Sequence, residues 1–156
     1  AEDYPGALYK ALVASGLNMP LKGALLATIA DADKMEAMPI LQGFADLGFQ
    51  VYATEGTAKL LNDQGIAAEK VNKISEGSPN LLDLIQRGAV AFIVNTISKD
   101  KRIEREGAQI RRASVERGVP CLTSLDTTRA LLLALYSYQG GELLTVQTVD
   151  EYVMNK

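Results

Sequence analysis

The chain has 156 residues, with 16 Lys or Arg, 19 Asp or Glu and no His, so its formal net charge is −3. This length supports one domain with its own core, and the negative charge argues against a general nucleic-acid binder, which carries excess positive charge. Because histidine is absent, the sequence offers no histidine general base, nucleophile partner or metal ligand.

The single cysteine, Cys121, excludes a disulfide within the chain and fits a reducing compartment, so we expect a cytoplasmic protein. The apolar runs are too short to span a membrane, and the acidic N-terminus is unlike a secretory signal. We therefore expect neither a membrane nor a nucleic acid as partner. The start without Met is interpreted as that of a fragment or a processed product.

Strand and helix patterns alternate along the first half of the chain. They predict a helix at 6–16, a strand at 25–29, a helix at 35–47, a strand at 49–54, a helix at 57–63 and a polar strand within 67–74 that ends at Lys73. Residues 31–34 are expected to form a loop. Pro39 is expected in or just after the first turn of its helix, because proline has no N–H for the helix interior.

The second half continues the alternation. It is predicted to contain a helix at 81–87, a strand at 89–94, a polar loop at 95–102, a helix at 103–117, a strand at 119–123, a helix at 125–138 and a β segment at 143–149. Asn80 is a candidate N-cap, Gly118 is a helix stop, and Val115 is expected to face inward. The apolar run at 89–94 is typical of a central parallel strand.

Successive β-α units predict an α/β fold, a doubly wound three-layer sandwich. Its central five-stranded sheet should be mostly parallel, with a short extra β segment near the C-terminus. Ligands of such sheets bind beyond the carboxyl ends of the strands. Hydroxyl, amide and lysine side chains, with one glycine, follow the predicted strands: Thr28, Lys34, Thr54, Gly56, Thr57, Lys73, Asn95, Thr96, Ser98, Thr123 and Ser124.

The run Thr54-Glu55-Gly56-Thr57 is a tight turn from a strand into a helix N-terminus. Free backbone N–H groups and the helix dipole favour anions there, and Lys34 and Lys73 would add positive charge. This pattern predicts a phosphate cradle, although it is neither a P-loop nor a dinucleotide fingerprint. The alternative is purely local: a threonine N-cap, a turn glycine and solvated lysines.

Other patterns give weaker signals. Asp31 and Asp33 are not followed by further carboxylates at a metal-binding spacing, so we predict no metal site. Arg111 and Arg112 are expected on a solvated or salt-bridged helix face, the alternative being a place near the ligand edge. Cys121 is expected to pack as a small apolar residue in its strand.

Several segments together carry a family resemblance: residues 22–28, 33–34, 52–58, 71–77, 94–96 and 110–112. In order and spacing they resemble the C-terminal allosteric domain of the large chain of carbamoyl-phosphate synthase, a methylglyoxal-synthase-like domain. The resemblance covers nearly the whole chain. It implies that residues 1–20 form a linker helix from the preceding synthase domain and that residues 21–156 form the allosteric domain.

The resemblance implies a regulatory site for nucleotide effectors. In that family UMP inhibits, and activators include IMP, ornithine, phosphoribosyl pyrophosphate and N-acetylglutamate. The implied phosphate contacts are Thr28, Lys34, Thr54, Gly56, Thr57 and Lys73. The implied base and sugar contacts are Asn95, Thr96 and Ser98, and Thr123 or Ser124 would contact an ornithine-type ligand across the domain boundary. The sequence departs from the family at Ile97, where a threonine is frequent, so effector preference stays open.

The resemblance also implies partners and a parent reaction. The partners would be nucleotide effectors, the rest of the large chain, the glutaminase small chain and further copies of the chain. The parent is an ATP-dependent, glutamine-hydrolysing ligase of pyrimidine and arginine biosynthesis. ATP, Mg²⁺ and K⁺ belong to its synthase domains, so this domain is expected to have no cofactor, no catalytic residue and no turnover of its own.

Two enzymes share this fold and define the alternatives. Methylglyoxal synthase, a lyase acting on dihydroxyacetone phosphate, has a similar phosphate cradle, but its catalytic aspartate lies in a Gly-Gly-Asp loop where this chain has Glu76-Gly77-Ser78-Pro79-Asn80. It also uses a histidine. The IMP cyclohydrolase domain has a run similar to residues 54–61 but needs a downstream Lys-Thr-Leu-His-Pro-Lys segment that is absent. A scaffold domain with a degenerate pocket is a third possibility.

Overall fold

The computed structural model describes residues 7, 8, 10, 11, 14 and 21–139, with the backbone alone at 138 and 139. The strands are β1 Ala24–Thr28, β2 Gln50–Ala53, β3 Ala68–Lys70, β4 Phe92–Asn95 and β5 Cys121–Leu122. The helices from residue 21 onward are α1 Lys34–Asp46, α2 Glu55–Asp63, α3 Leu81–Gln86, α4 Lys101–Arg117 and α5 Leu125–Gln139. Short 3-10 turns cover Asp31–Asp33 and Ile74–Glu76.

The strands form one sheet in the order β3-β2-β1-β4-β5, and every pairing in it is parallel. The predicted five-stranded parallel sheet is therefore confirmed. The chain builds outward from β1 to β3 and then crosses to β4 on the other side of β1. This reversal creates a crevice between the carboxyl ends of β1 and β4, where Thr28 and Asn95 are register partners.

The two faces of the sheet carry separate cores, because successive strand residues point to opposite sides. Leu25 and Ala27 belong to the larger core, which is covered by α1, α2 and α5. Leu26 belongs to the smaller core under α3 and α4. Helices therefore cover both faces, which confirms the predicted three-layer α/β fold.

Three aromatic rings anchor the larger core. Phe44, Phe49 and Phe92 have ring centroids 5.1 to 5.6 Å apart, in edge-to-face or tilted arrangements. Such geometry directs the positive ring edges at the negative ring faces. On the opposite face Cys121 packs against the smaller core, as predicted, and burial raises the pKa of its thiol.

Two predicted helix ends are confirmed. The Asn80 side chain accepts the N–H of Leu82 at 2.9 Å, and the Asn80 N–H donates to the Asp83 carboxylate at 2.8 Å, so α3 starts with a reciprocal capping box. This bond and one from the Ser78 hydroxyl lower the pKa of Asp83. Gly118 ends α4 in the left-handed region, with φ 65°.

The predicted loop at 31–34 is wrong. Residues Asp31–Asp33 form a 3-10 turn and Lys34 is already the first residue of α1. Pro39 therefore lies in the second turn of the helix, later than predicted. Because proline has no N–H, the carbonyl of Met35 loses the helix hydrogen bond that residue 39 would otherwise donate. Met35 is 71% exposed, so this position lies on the outer side of the helix.

Two further strand boundaries and the exposure of one helix residue differ from the predictions. β4 starts at Phe92 rather than 89 and includes Asn95, because its neighbour β1 begins only at Ala24 and leaves residues 89–90 unpaired. β3 ends at Lys70, so Lys73 lies in the connection to α3 rather than at a strand end. Val115 is 81% exposed, since five residues after the buried Ile110 is the wrong spacing for one helix face.

The structure describes only some of the residues near the two ends of the chain. The described residues of the predicted helix at 6–16 are all helical, whereas the linker role of residues 1–20 stays a prediction. The predicted β segment at 143–149 lies outside the described residues. Among the described helices, none combines the length and apolarity that a membrane span requires.

Candidate functional site

A pocket opens at the carboxyl ends of β1 and β4, in the crevice made by the reversal of strand order. Its lining comes from all three layers: Thr28, Ile29, Ala30, Asp31, Lys34, Thr54, Gly56, Lys73, Leu81, Asn95, Thr96, Ile103, Glu104, Glu106, Gly107 and Ile110. Most of the residues predicted from the strand ends are therefore brought together in one place: Thr28, Lys34, Thr54, Gly56, Lys73, Asn95 and Thr96.

One end of the pocket, which we call the cationic end, is formed by Lys34, Lys73, Thr54 and Gly56. The Lys34 ammonium is 22% exposed and lies 2.5 Å from the carboxylate of Asp31, which is 86% exposed. This contact, and the charges of Lys34 and Lys73, lower the pKa of Asp31. An anion entering here would meet two lysines, one of which already has an acidic partner.

The start of α2 belongs to the same end. Thr54 precedes the helix in an extended conformation, but its side chain makes no capping hydrogen bond. Thr54 thus occupies the N-cap position, as the local alternative expects, but it leaves the backbone N–H groups of the first turn available to an anion. Gly56 allows Lys34 to lie against this turn, because a Cβ at Gly56 would be 3.0 Å from the Lys34 Nζ.

The other end of the pocket, the polar end, is a chain of hydrogen bonds through Thr28, Asn95, Arg111 and Glu104. The Asn95 Nδ2 donates to the Thr28 hydroxyl at 2.7 Å, and the Arg111 Nη1 donates to the Asn95 Oδ1 at 2.8 Å. The Arg111 Nη2 pairs with the Glu104 carboxylate. Asn95 is only 4% exposed, so its amide is held by protein groups on both sides.

Further hydrogen bonds fix the loops around the pocket. The Thr96 hydroxyl accepts the N–H of Ala30 at 2.7 Å, which holds the chain leaving β1 against the chain leaving β4. Glu106 on α4 accepts the N–H of Ser75 at 3.0 Å, which ties the connection that carries Lys73 to α4. Both contacts link segments of the pocket lining that are far apart in sequence.

Three apolar side chains, which we call the apolar wall, also line the pocket. Ile110 and Leu81 are buried in the smaller core, and Ile103 is 48% exposed. An apolar wall of this kind suits a flat ring or a hydrocarbon part of a ligand, since little polar surface is then desolvated.

Four of the predicted contacts lie elsewhere. Neither Thr57 nor Ser98 is among the lining residues of the pocket. Thr57 is buried, with 1% of its surface exposed. The Ser98 hydroxyl accepts the N–H of Asp100 at 3.1 Å. Thr123 and Ser124 line a second groove beside it, together with Asp33, Glu36, Thr96, Ile97, Leu125 and Asp126. Ile97 faces this second groove and is 58% exposed. The contacts predicted at these positions stay predictions.

Sequence reasoning missed the contribution of α4. Glu104 and Gly107 line the pocket, and Arg111 supports it. Arg111 is salt-bridged to Glu104, as expected, and it also lies near the ligand edge, the alternative that the sequence left open. Arg112, by contrast, is 82% exposed and pairs with Glu116, as expected. The missed signal was the spacing of three and four residues between Glu104, Gly107 and Arg111, which places them on one stripe of the helix.

The donors in the pocket are suited to anions and carbonyl groups rather than to metal ions. Within the part of the chain that the structure describes, no cluster of three or more acidic, cysteine or histidine side chains is placed to hold a metal. Both glutamates of α4 that line the pocket are already engaged, Glu104 by Arg111 and Glu106 by Ser75.

The fold is similar to that of two solved structures. The crystal structure of methylglyoxal synthase from Elizabethkingia anophelis NUHP1 matches with a TM-score of 0.57 and 18% identity, over 73% of this chain and 79% of that chain. The crystal structure of ForH matches with a TM-score of 0.51 and 22% identity, over 83% of this chain and 84% of that chain. At these identities the likeness concerns the fold alone.

The sequence itself matches a family model. The model describes the MGS-like domain and matches residues 36–123, which run from α1 to just beyond β5 and contain much of the pocket. This range covers more than half of the chain, and the overall fold agrees with the two structural matches. The chain belongs to the family of MGS-like domains.

Proposed function

We propose that this chain is a regulatory domain of a carbamoyl-phosphate synthase large chain and that its pocket binds nucleotide-type phosphate effectors. The effectors would be of the kind of UMP as an inhibitor and IMP or phosphoribosyl pyrophosphate as an activator. The observation that carries the proposal is the division of the pocket into a cationic end, an apolar wall and a polar end. A nucleoside monophosphate offers a matching set of groups: a charged phosphate, the flat apolar face of a ring and polar atoms on the edge of that ring.

The phosphate would occupy the cationic end. Lys34 and Lys73 supply two positive charges, and the uncapped first turn of α2 supplies backbone N–H donors. Charge-assisted hydrogen bonds of this type are stronger than neutral ones, and the helix dipole adds to them. Thr54 would add a hydroxyl donor. Thr57, predicted at the same site, follows Gly56 in the first turn.

The nucleoside would lie between the apolar wall and the polar end. Ile103 and Ile110 offer a surface for the ring, while Asn95, Thr96 and Thr28 offer polar atoms for its edge. We place the base and sugar near Asn95 and Thr96 on this ground. Ser98 and the ornithine-type contact at Thr123 or Ser124 remain weaker parts of the proposal, because these residues lie outside the pocket lining.

Calorimetry with UMP, IMP and phosphoribosyl pyrophosphate is the direct test, with uridine as the matched ligand that lacks a phosphate. We expect at least one phosphorylated ligand to bind, and uridine to bind more weakly. Lack of binding by all three phosphorylated ligands would contradict the proposal and favour a scaffold domain. In that case titration with inorganic phosphate shows whether the cationic end alone retains anion affinity.

A lyase acting on dihydroxyacetone phosphate is the second candidate, favoured by the Asp31 carboxylate in the same pocket as Lys34. A carboxylate near bound phosphate is the type of group that could remove a proton from carbon. However, Lys34 lowers the pKa of Asp31, which makes this carboxylate a weaker base. Methylglyoxal formation that is lost in both Lys34→Ala and Asp31→Asn would favour the lyase over the regulatory domain.

The remaining expectations follow from the proposed parent enzyme, a carbamoyl-phosphate synthase. The domain would work with the rest of the large chain, a glutaminase small chain and further copies of itself, in the cytoplasm, and would hold no cofactor. Regulation requires that the effector bind one state of the whole enzyme more tightly than another. Synthase activity measured on the complete large chain, with and without UMP, tests this step.

A further inference from the structure

The polar end of the pocket contains a hydrogen-bond chain in which each donor fixes the next. Arg111 can only donate, so the Asn95 atom 2.8 Å from its Nη1 must be the amide oxygen. The other side of the Asn95 amide is then its NH₂ group, which donates to the Thr28 hydroxyl oxygen at 2.7 Å. The orientation of the amide thus follows from the chemistry of arginine and does not rest on a choice between two similar atoms.

The donor and acceptor roles along these hydrogen bonds decide which role is left for the Thr28 hydroxyl. Its oxygen already accepts a hydrogen bond from the Asn95 NH₂, which occupies one of its two lone pairs, whereas its own proton has only a weak acceptor in the Val94 carbonyl, 3.5 Å away. Thr28 lines the pocket. The hydroxyl proton is therefore available to a ligand atom that accepts a hydrogen bond.

On the α4 side, these hydrogen-bonded side chains are packed closely against the helix backbone. A Cβ at Gly107 would lie 3.0 Å from the Arg111 Nη1 and 3.5 Å from the Asn95 Oδ1. Glu104 holds the second nitrogen of the guanidinium. Arg111 is thus fixed from both sides, which is the condition for a side chain that orients another group.

We infer that Arg111, held by Glu104, is a positioning residue that fixes the Asn95 amide and thereby makes Thr28 a hydrogen-bond donor toward the pocket. The ligand group at this end is then an acceptor, such as a ring carbonyl, and an amino group in the same place is disfavoured. The statement about the ligand rests on the proposed function, whereas the orientation of Asn95 and Thr28 does not.

The first test needs no ligand. In the whole chain, heteronuclear NMR should find the Asn95 side-chain NH₂ protected from solvent exchange. Arg111→Met should accelerate this exchange, because the amide is then free to rotate, and Arg111→Lys should restore protection in part. Arg112→Met is the matched control on the same helix and should leave the exchange unchanged. Equal exchange in Arg111→Met and wild type, with the fold intact by circular dichroism, would overturn the inference.

The second test measures ligand choice. We expect wild type to bind UMP, which has a ring carbonyl, more tightly than CMP, which has an amino group in its place. Arg111→Met should reduce that ratio by about 5- to 10-fold, the effect of one hydrogen bond of about 1 kcal/mol. Affinity for inorganic phosphate, which reports on the cationic end, should stay the same. An unchanged ratio would overturn the ligand part.

The two proposals fail in different ways. Absence of binding by both nucleotides to wild type would count against the proposed function, and the exchange measurement would then decide the role of Arg111 alone. A wild type that binds UMP and CMP equally would support a nucleotide site but overturn the donor role of Thr28. Should Arg111→Met not fold, Arg111→Lys supplies both readouts, because it keeps the charge but loses the planar fork that engages both partners.

Discussion

The two ends of the pocket are built in opposite ways. At the cationic end Lys73 is exposed, the first turn of α2 is uncapped, and the Lys34–Asp31 ion pair reaches solvent. At the polar end Asn95 is 4% exposed and is engaged by Thr28 and Arg111 on either side. The cationic end holds positive charge that a ligand can reach, and the polar end holds dipoles that are paired largely within the protein.

The difference between the two ends predicts which substitutions change ligand affinity and which change the stability of the fold. Lys73 is exposed and Lys34 pairs with an exposed carboxylate. Such surface charges contribute little to folding, because they are weak and screened, so substitution of either lysine should affect binding far more than folding. Buried amides and hydroxyls depend on their partners, and the loss of one partner leaves a desolvated group. Substitutions at the polar end should therefore affect folding and ligand choice together.

The largest effect is expected at the lysines. Lys34→Ala and Lys73→Ala should each weaken binding of a phosphate ligand such as UMP by about 1–3 kcal/mol, since each removes a charge-assisted hydrogen bond. Calorimetry measures the change. Lys59→Ala is the control, because Lys59 pairs with Asp63 on the exposed side of α2. Equal losses in all three variants would mean that only overall charge matters.

At the polar end, Thr28→Val should lower the free energy of unfolding by about 1.5 kcal/mol, because the Asn95 NH₂ loses its acceptor while the volume is retained. Urea denaturation measures the change. Thr123→Val, at the exposed end of β5, should have little effect. If Thr28→Val left stability unchanged but abolished UMP binding, the two ends would not differ as described.

Gly56→Ala should move binding and stability in opposite directions. The new Cβ would lie 3.0 Å from the Lys34 Nζ and displace it, so we expect phosphate affinity to fall by about 1 kcal/mol. Alanine is a better helix residue than glycine, so the free energy of unfolding should rise by roughly 0.5 kcal/mol. Calorimetry and urea denaturation of the same preparation give both numbers. A fall in both would show that the turn itself is distorted.

The smallest effect, and a gain, is expected for Asp31→Asn. Removal of the carboxylate frees Lys34, so phosphate affinity should increase by about 0.2–1 kcal/mol, the range for an exposed ion pair. Because the pKa of Asp31 is lowered in the folded state, its small contribution to stability is present above the unfolded pKa and lost as pH falls through the folded pKa. Asp126→Asn, an exposed carboxylate beside the second groove, is the control in calorimetry.

The sequence predicted the order of strands and helices along the chain because their hydrophobic periods differ. The buried strands around Leu26 and Ile93 and the amphipathic α1 were all recognised, and the Asn80 cap and the Gly118 stop were correct. The errors lie at positions where hydrophobic periodicity does not distinguish the possible structures. Val115 was assigned to the wrong helix face, and β4 was started too early because an apolar run does not say where its neighbouring strand begins.

The candidate site was predicted in part. Residues at the carboxyl ends of strands, such as Thr28, Thr54 and Asn95, are predicted correctly because parallel strands end at one edge of a sheet. The sequence predicts a salt-bridged face for Arg111, with a place near the ligand edge as the alternative, and the structure shows both. Its bond to Asn95 could not be predicted, because Arg111 lies sixteen positions later in the middle of a helix, where a polar residue is indistinguishable by pattern from a solvated one. Its neighbour Arg112 is solvated.

By itself the sequence determined the α/β class, the parallel sheet and the gathering of hydroxyl and lysine side chains at one edge. These follow from periodicity and chain connectivity, which are local or topological properties. Only the tertiary structure decided that Lys34 opens a helix beside Asp31 and that Thr54 leaves α2 uncapped. It alone decided that Arg111 orients Asn95, because hydrogen-bond direction depends on distances between atoms that are far apart in the chain.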